Sequence, residues 1–216
     1  MKKVAIIVAG GKGIRMNAKI PKQFLMLNQS PILMHTLKKF DHFKKIILVL
    51  PESQINYWKN LCKKHEFTIP HTIIIGGKTR FQSVQNALMK IDNESVVAIH
   101  DGVRPLVSKK LIDKLISKAK NGVGTIPVIL IKDSVRKIKS DGISSFVNRT
   151  DLYKVQTPQC FISKEIKNAY SQKFKQEFTD DSVVFESNGG EINALIGEEK
   201  NIKITTKNDL KIAKSL

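Results

Sequence analysis

Residues 4–15, with the sequence VAIIVAGGKGIR, decide the fold of this chain. Residues 4–9 are apolar without alternation, which is typical of a strand covered on both faces in a parallel sheet. The glycines that follow let the backbone approach a ligand and turn its N–H groups toward a phosphate. Arg15 and Lys22 lie near the same turn. Two cations there favour a nucleoside triphosphate site over an ordinary tight turn, the alternative for a glycine-rich segment.

Spacing excludes two common phosphate-binding motifs from this turn. The dinucleotide-binding fingerprint requires a third glycine where Met16 stands. The only Gly-Lys-Thr of the chain, residues 77–79, has Thr72 where a P-loop requires its first glycine. The glycine turn therefore belongs to neither motif.

Apolar runs alternate with segments of helical periodicity along the rest of the chain. We predict strands over residues 45–50, 71–75, 96–99, 124–128, 191–196 and 201–205, and helices over 31–40, 51–66, 85–91, 108–121, 163–172 and 207–216. This alternation implies right-handed crossovers and a three-layer α/β sandwich. Residues 129–147 break it, and Ser140-Asp141-Gly142 predicts a turn in an inserted β-hairpin. Such a hairpin either covers the site or reaches a neighbouring subunit.

A second glycine turn, Gly76-Gly77, follows the predicted strand over residues 71–75. Open α/β sheets bind ligands at the carboxyl ends of their strands, so this turn supports a ligand site at that edge. Ser83 follows the turn, and we expect it to cap the next helix rather than to hydrogen-bond a base.

Asp101 follows the predicted strand over residues 96–99. A carboxylate beside a phosphate-binding turn suits Mg²⁺, which prefers carboxylate, water and phosphate oxygens. Arg104 follows three residues later and suits bidentate contact with a substrate phosphate. We expect His100 to be packed or hydrogen-bonded rather than to act as a catalytic base.

Composition bounds the class of protein. The chain has 216 residues, and we expect one domain over residues 1–216 with an arm at about residues 130–150. The formal net charge is +18, which raises the question of nucleic-acid binding. The lysines are spread along helix-like segments, without an arginine-rich tract and with few aromatic residues for base stacking. We therefore expect a solvated surface that attracts anions, and no nucleic-acid partner.

The two cysteines of the chain indicate the redox environment of the protein. Cys62 and Cys160 lie far apart without metal-ligand spacing, which favours a reducing environment. The sequence contains no apolar segment of the length that a signal peptide or a membrane span requires. We expect a cytoplasmic protein that does not contact a membrane.

Short motifs recur over nearly the whole chain. They are residues 9–16, Pro21-Lys22-Gln23, Gly76-Gly77 with Arg80 and Ser83-Val84, His100-Asp101 with Arg104-Pro105, Gln156-Thr157-Pro158-Gln159, Thr179-Asp180 and residues 201–205. Together, and in this order, they resemble the 2-C-methyl-D-erythritol 4-phosphate cytidylyltransferase family. The resemblance implies a three-layer Rossmann-like nucleotidyltransferase sheet with an inserted β-hairpin arm. It also implies transfer of CMP from CTP to methylerythritol phosphate, with release of pyrophosphate, in non-mevalonate isoprenoid biosynthesis.

The resemblance also assigns roles to matching positions. CTP would be cradled by Ala9, Gly10, Gly11, Gly13 and Arg15, with Gly77 and Ser83 near the cytosine and ribose. Arg15 and Lys22 would hold the triphosphate and stabilise the transition state, and Lys203 would contact the phosphates. Asp101 would hold Mg²⁺. Methylerythritol phosphate would contact Asp101, Arg104, Ser134, Arg149, Thr157 and Thr179.

The resemblance implies a homodimer as well. The family positions that match Ser134 and Arg149 lie on or beside an arm that crosses to the partner subunit, so the active sites would be shared. The sequence departs from the family at three places: Ser134 stands where Thr is more common, Gly102-Val103 replaces two alanines, and Lys78 replaces a common acidic residue. Lys78 leaves the contacts around the base and the ribose open.

Two alternative functions remain at this stage. Ribitol-5-phosphate cytidylyltransferases share the glycine turn, Pro-Lys-Gln and Gln-Thr-Pro-Gln, whereas residues 80–84 and 148–153 look more like the methylerythritol enzyme. A non-catalytic nucleotide- or RNA-binding module would also suit a basic chain. That alternative does not explain why Arg15, Lys22, Asp101 and Lys203 lie at loop edges.

Overall fold

The first predicted strand lies inside a mixed sheet with its apolar side chains buried. The computed structural model describes residues 1–10 and 20–216. Three predicted site residues, Gly11, Gly13 and Arg15, therefore lie outside the described residues.

As far as residue 130 the described strands and helices alternate much as predicted, whereas the strands at residues 26–27, 30–31, 153–155 and 159–162 were not predicted. The strands are β1 (Lys2–Val8), β2 (Met26–Leu27), β3 (Ser30–Pro31), β4 (Lys45–Leu50), β5 (Thr72–Ile75), β6 (Ser95–Asp101), β7 (Val123–Leu130), β8 (Arg136–Ile138), β9 (Ser144–Phe146), β10 (Tyr153–Val155), β11 (Gln159–Ile162) and β12 (Glu191–Ile196). The helices are α1 (Ile32–Lys38), α2 (Glu52–Lys64), α3 (Arg80–Leu88), α4 (Lys109–Lys118), α5 (Ser163–Ala169), α6 (Asp181–Glu186) and α7 (Lys207–Ser215). In the described parts of the chain, we find no helix with the length and apolar character of a membrane span.

The sheet topology brings the predicted site loops to one edge. The strand order is β10-β7-β11-β6-β1-β4-β5, and β12 pairs with β7. β1 is parallel to β4 and β6, and Val8 lies beside Asp101 in the register. β5 is parallel to β4. The carboxyl ends of β1, β5 and β6 therefore meet at the same edge, where open α/β sheets bind ligands.

Helices cover both faces of the sheet and confirm the predicted three-layer architecture. One apolar cluster packs α1, α2 and α4 on the sheet and contains the fully buried Trp58. The other packs α3, α5 and α6 around Phe81, Phe161 and Tyr170. Because both faces are covered, β4 and β6 consist almost entirely of buried residues, and residues 4–7 of β1 are buried as well. Each large apolar side chain buried in this way contributes roughly 1.5–3 kcal/mol to stability.

The predicted hairpin is present and stands apart from the main sheet. Among the residues that the structure describes, β8 and β9 pair only with each other, antiparallel, and Gly142 takes a φ of +82° in the connection. All six residues of the two strands are exposed. We call residues 131–152, which contain this hairpin, the arm.

Two sequence predictions about secondary structure were wrong. Residues 201–205 form no strand, because Ile204 N donates to Val103 O while Asn201 bonds to residues 156 and 157 through its side chain. Helix α3 begins at Arg80 rather than at residue 85, because Thr79 is its N-cap and accepts from Gln82 N. Ser83 is therefore inside the helix and is not its cap.

Candidate active site

The predicted nucleotide-binding residues line one pocket at the carboxyl edge of the sheet. Its wall contains Ala9, Gly10, Gly77 and Ser83 from that set, the predicted catalytic residues Lys22 and Lys203, and Asp101, the predicted Mg²⁺ ligand. Gly10 and Gly77, which are 67 residues apart in sequence, thus face the same space. In the second turn the N–H groups of Gly76, Gly77 and Lys78 already donate to Leu50 O, Ser83 Oγ and Gln82 Oε1, so this turn allows close backbone approach without offering these donors to a ligand.

Lys22 reaches this pocket from a short 3-10 helix, Lys22–Phe24. The buried Gln23 anchors that helix, since its Nε2 donates to Ala9 O at 2.8 Å and to Gln54 Oε1 at 2.6 Å. Phe24 stacks on Trp58 with ring centroids 6.1 Å apart. The apolar core thereby determines where the Lys22 backbone stands.

Ser83 shapes the second glycine turn. Its Oγ accepts from Gly77 N at 3.1 Å and donates to Thr79 O at 2.8 Å. A side chain at Gly77 would place its Cβ 2.3 Å from Gln82 Cβ, so the close approach of turn and helix requires glycine. Since the hydroxyl hydrogen of Ser83 is already donated, any contact of this oxygen with a nucleotide has to use a remaining lone pair.

Asp101 is the charged centre of the site. Its Oδ2 lies 3.1 Å from both Arg104 Nε and Lys203 Nζ. Burial raises the pKa of this carboxyl, but Lys203, Arg80 and Arg104 together hold the pKa below its ordinary value. The carboxylate is therefore anionic throughout the neutral range.

A second pocket adjoins the first. The predicted sugar-phosphate residues in its wall are Asp101, Arg104, Thr157 and Thr179. Arg80, Asp101 and Lys203 line both pockets, so they form the junction where two bound molecules would meet. Ser134 and Arg149 are exposed on the arm and line neither pocket; Arg149 donates instead to Lys132 O.

The hydroxyl of Thr157 is hydrogen-bonded to other groups of the protein. Its Oγ1 accepts from Asp101 N at 3.1 Å and lies 2.9 Å from His100 Nδ1. His100 Nε2 lies 3.1 Å from Arg104 O, a group that only accepts. The network thus assigns the proton to Nε2 and makes Thr157 the donor to Nδ1. His100 is fully buried and hydrogen-bonded, which confirms the prediction that it is packed.

The burial of the His100 side chain predicts that the free energy of unfolding depends on pH. Burial lowers the pKa of His100 to about 4, from 6.5. Between these values the unfolded chain binds a proton that the folded chain does not, so stability falls as pH falls. This group alone should lower the free energy of unfolding by about 3 kcal/mol from pH 7 to pH 4. Urea unfolding at both pH values should show a smaller decrease for His100→Asn than for the wild type; equal decreases would contradict the prediction.

Amide side chains hold the segment that carries Lys203. Gln156 Nε2 donates to Glu198 O at 2.8 Å, and Asn201 Nδ2 donates to Thr157 O at 2.9 Å. Arg104 NH1 donates to Asn201 O at 2.8 Å. Asn201 is fully buried, so this loop is firmly anchored beside Asp101.

These amides lie within the motifs at residues 156–159 and 201–205, but the motifs alone indicate no role for them. The same holds for Gln159, whose Oε1 accepts from Ser182 N at 2.8 Å and whose Nε2 is buried without a partner among the described residues. Arg80 at the pocket junction also received no role. Arginine directly after a glycine turn and at the start of a helix is the sequence feature that points to it.

The residues present suit Mg²⁺ bound jointly by protein and substrate. Over residues 1–10 and 20–216, no group of three or more His, Cys, Asp or Glu side chains is placed to hold a metal. Asp101 is thus the candidate ligand, and both of its ion pairs use Oδ2. Mg²⁺ is commonly held by one or two carboxylates together with water and substrate phosphates, which matches this donor set.

The fold and this junction of two pockets define the class: a nucleotidyltransferase, in which a nucleotide site at a glycine turn adjoins an anion site across a carboxylate. A model of the 2-C-methyl-D-erythritol 4-phosphate cytidylyltransferase family matches residues 3–216. The chain belongs to this family.

Relatives and solved structures agree with that assignment. The 2-C-methyl-D-erythritol 4-phosphate cytidylyltransferase of Bacteroides fragilis is 46% identical over 219 residues, covering 100% of both chains. The 4-diphosphocytidyl-2C-methyl-D-erythritol synthase of Anaerococcus prevotii is 32% identical with a TM-score of 0.81, over 99% of this chain and 95% of that one. The bifunctional IspDF of Campylobacter jejuni is 35% identical with a TM-score of 0.82, over 98% of this chain and 54% of that one. The chain spans about half of that bifunctional protein.

Proposed function

We propose that the protein transfers CMP from CTP to 2-C-methyl-D-erythritol 4-phosphate and releases pyrophosphate. The observation that carries the proposal is the pair of adjoining pockets that share Arg80, Asp101 and Lys203. One pocket has Gly10, Gly77 and Lys22, which suit a triphosphate, and the other has cations suited to a second phosphate. The names of the family and of the relatives support the choice of these two substrates.

The proposed reaction requires no general base. An oxygen of the sugar phosphate forms a bond to the α-phosphorus of CTP, and the bond from that phosphorus to pyrophosphate breaks. The attacking phosphate is already an anion at neutral pH. His100, the histidine beside the junction, is occupied by Thr157 and Arg104 O.

Catalysis then depends on positioning and charge. Two anions have to meet while negative charge grows on the α-phosphate and on the leaving group, so fixed cations stabilise the transition state. Lys22 lines the nucleotide pocket and is assigned to the triphosphate, together with Arg15. Lys203 lines both pockets and is assigned to the phosphates at the junction. Gly77, where a side chain would collide with Gln82, lets the backbone lie close to a bound nucleotide.

Asp101 would hold Mg²⁺ together with the triphosphate. The ion would supply charge neutralisation at the phosphates when bound. Lys203 and Arg104 both pair with Oδ2 of Asp101, which keeps the carboxylate ionised.

Pyrophosphate release by the purified protein tests this function. Mg²⁺ and CTP are supplied with methylerythritol 4-phosphate or with ribitol 5-phosphate, and ATP, GTP and UTP replace CTP in controls. Turnover with CTP and methylerythritol phosphate alone is the expected result. Turnover with ribitol phosphate alone would show that the proposed acceptor is wrong but that the transfer mechanism is right. No pyrophosphate release with either acceptor would overturn the proposed function. The cytoplasmic location and the absence of a nucleic-acid partner stay predictions.

We also propose that the arm forms a homodimer and completes each active site with Ser134 and Arg149 of the partner. Two observations support this proposal. The arm exposes large apolar side chains, with Ile138, Ile143 and Phe146 at 70%, 62% and 77% exposure. Ser134 and Arg149 line neither pocket of their own chain. A partner's arm that reached the second pocket would bury the exposed apolar side chains of the arm. It would also bring Ser134 and Arg149 to that pocket.

Phe146→Ser is expected to weaken the dimer, because it removes exposed apolar area from the arm that we propose to form the contact. Sedimentation velocity over a dilution series should show more monomer, and kcat/KM for methylerythritol phosphate should fall at least fivefold at dilution, by analogy with loss of a positioning contact. Met89→Ser is the matched control, since Met89 is 68% exposed outside the arm. Unchanged sedimentation and activity of Phe146→Ser would contradict the proposed dimer.

A further inference from the structure

Arg80 stands at the junction of the two pockets and is held by a buried carboxylate. Its NH1 and NH2 donate to Asp181 Oδ1 and Oδ2 at 2.8 and 2.5 Å. Asp181 is fully buried, and its Oδ1 also accepts from Tyr170 Oη at 2.5 Å. The planar guanidinium is therefore fixed by two parallel hydrogen bonds.

The partners of Arg80 are themselves rigid. The Tyr170 ring stacks on Phe81 with centroids 4.7 Å apart, and Tyr170 O accepts from Gln85 Nε2 at 2.7 Å. Burial and the charge of Asp181 raise the pKa of Tyr170 well above its ordinary value, so the phenol stays protonated and donates. Asp181 is the first residue of α6, behind the N-cap Asp180. The core thus orients the carboxylate from two sides.

This arrangement leaves part of Arg80 available to a ligand. Arginine has five N–H donors, and within the described residues its two hydrogen bonds both go to Asp181. The side chain is 28% exposed and lines both pockets. A buried ion pair by itself contributes little to stability because both charges lose their hydration. A role in stability alone does not explain an arginine at this junction.

We propose that Arg80 contacts a phosphate oxygen of the substrates where the two pockets meet, and that Asp181 and Tyr170 are positioning residues for its guanidinium. The inference rests on the proposed function and adds Arg80 to the residues assigned to it. A guanidinium held on one edge by a carboxylate presents its other N–H groups in a fixed plane, which suits phosphate oxygens better than a flexible ammonium does.

Steady-state kinetics of Arg80→Lys and Tyr170→Phe test this inference. Arg80→Lys keeps the charge and loses the planar donors, so we expect kcat/KM for one or both substrates to fall at least tenfold. Tyr170→Phe keeps the stacked ring and removes the hydroxyl, so we expect a fall of about threefold to tenfold through a displaced Arg80. Asp113→Asn is the control; Asp113 pairs with Lys3 at 2.7 Å, away from both pockets, and its loss should change the kinetics less than twofold.

Two further measurements identify the phosphate and separate this role from a structural one. CTP affinity by calorimetry without the sugar phosphate should weaken if Arg80 contacts the nucleotide. The KM for methylerythritol phosphate should rise with CTP affinity unchanged if Arg80 contacts the acceptor. Circular dichroism establishes that each variant is folded at the assay temperature. Folded Arg80→Lys with kcat, both KM values and CTP affinity within twofold of the wild type would overturn the inference. A wild type without turnover would instead overturn the proposed function.

Discussion

Asp101→Asn is expected to lower kcat by about 10²-fold or more, the scale of losing one preorganised electrostatic group. The substitution keeps the shape of the side chain and removes its charge. Asp101 is the carboxylate at the junction of the two pockets and the candidate ligand for Mg²⁺. Its loss leaves Lys203 and Arg104 without their shared counter-charge. Pyrophosphate release over a Mg²⁺ titration measures the effect, and added Mg²⁺ should not restore activity.

The control for Asp101→Asn is Asp113→Asn, which makes the same chemical change at an exposed ion pair. Circular dichroism and thermal unfolding distinguish lost chemistry from lost structure, because the neutral variant leaves nearby cations partly buried. A folded Asp101→Asn variant with kcat within threefold of the wild type would show that this carboxylate neither binds the ion nor organises the junction.

Lys22→Ala should lower kcat by roughly 10²-fold, because it removes a fixed cation from the wall of the triphosphate pocket. The fold should survive, since the neighbouring Gln23 and Phe24 anchor this segment through hydrogen bonds and aromatic packing. Single-turnover pyrophosphate release at saturating CTP measures the chemical step directly. The same loss is predicted for Arg15→Ala.

Lys59→Ala is a matched control for Lys22→Ala. Lys59 is exposed on α2 and lines neither pocket, so its removal tests the general effect of one lysine fewer in a chain of net charge +18. Its kcat should equal that of the wild type. Near-normal kcat for Lys22→Ala would exclude a role in transition-state stabilisation, whereas a raised KM for CTP alone would assign Lys22 to ground-state binding.

Local patterns accounted for most of the architecture. Residues 4–9 predicted a buried strand, and residues 2–8 form β1 in the interior of the sheet. The inserted hairpin followed from a glycine turn between two short β-prone runs, because turn chemistry acts between neighbouring residues. The prediction that Asp101 belongs to the site followed from its position after an apolar run, because the carboxyl ends of parallel strands lie at a common edge of the sheet.

Local patterns failed where a residue's partner is distant in sequence. Residues 201–205 have the apolar alternation of a strand, yet their hydrogen bonds go to Val103, Gln156 and Thr157. Ser83 has the composition of a helix cap, yet Thr79 takes that place and Ser83 supports the glycine turn. In both cases a competing hydrogen-bond partner, rather than periodicity, determined the outcome.

The sequence by itself determined the alternation of the central strands and helices, the inserted hairpin and the family to which the chain belongs. These features depend on the spacing of apolar residues and on the backbone freedom of glycine, which neighbouring residues decide. Only the tertiary structure decided how charges meet at the site: Arg80 lies against Asp181, 101 residues away, and Lys203 against Asp101. Ion pairs of this kind form only after packing has brought separate elements together and removed the water between them.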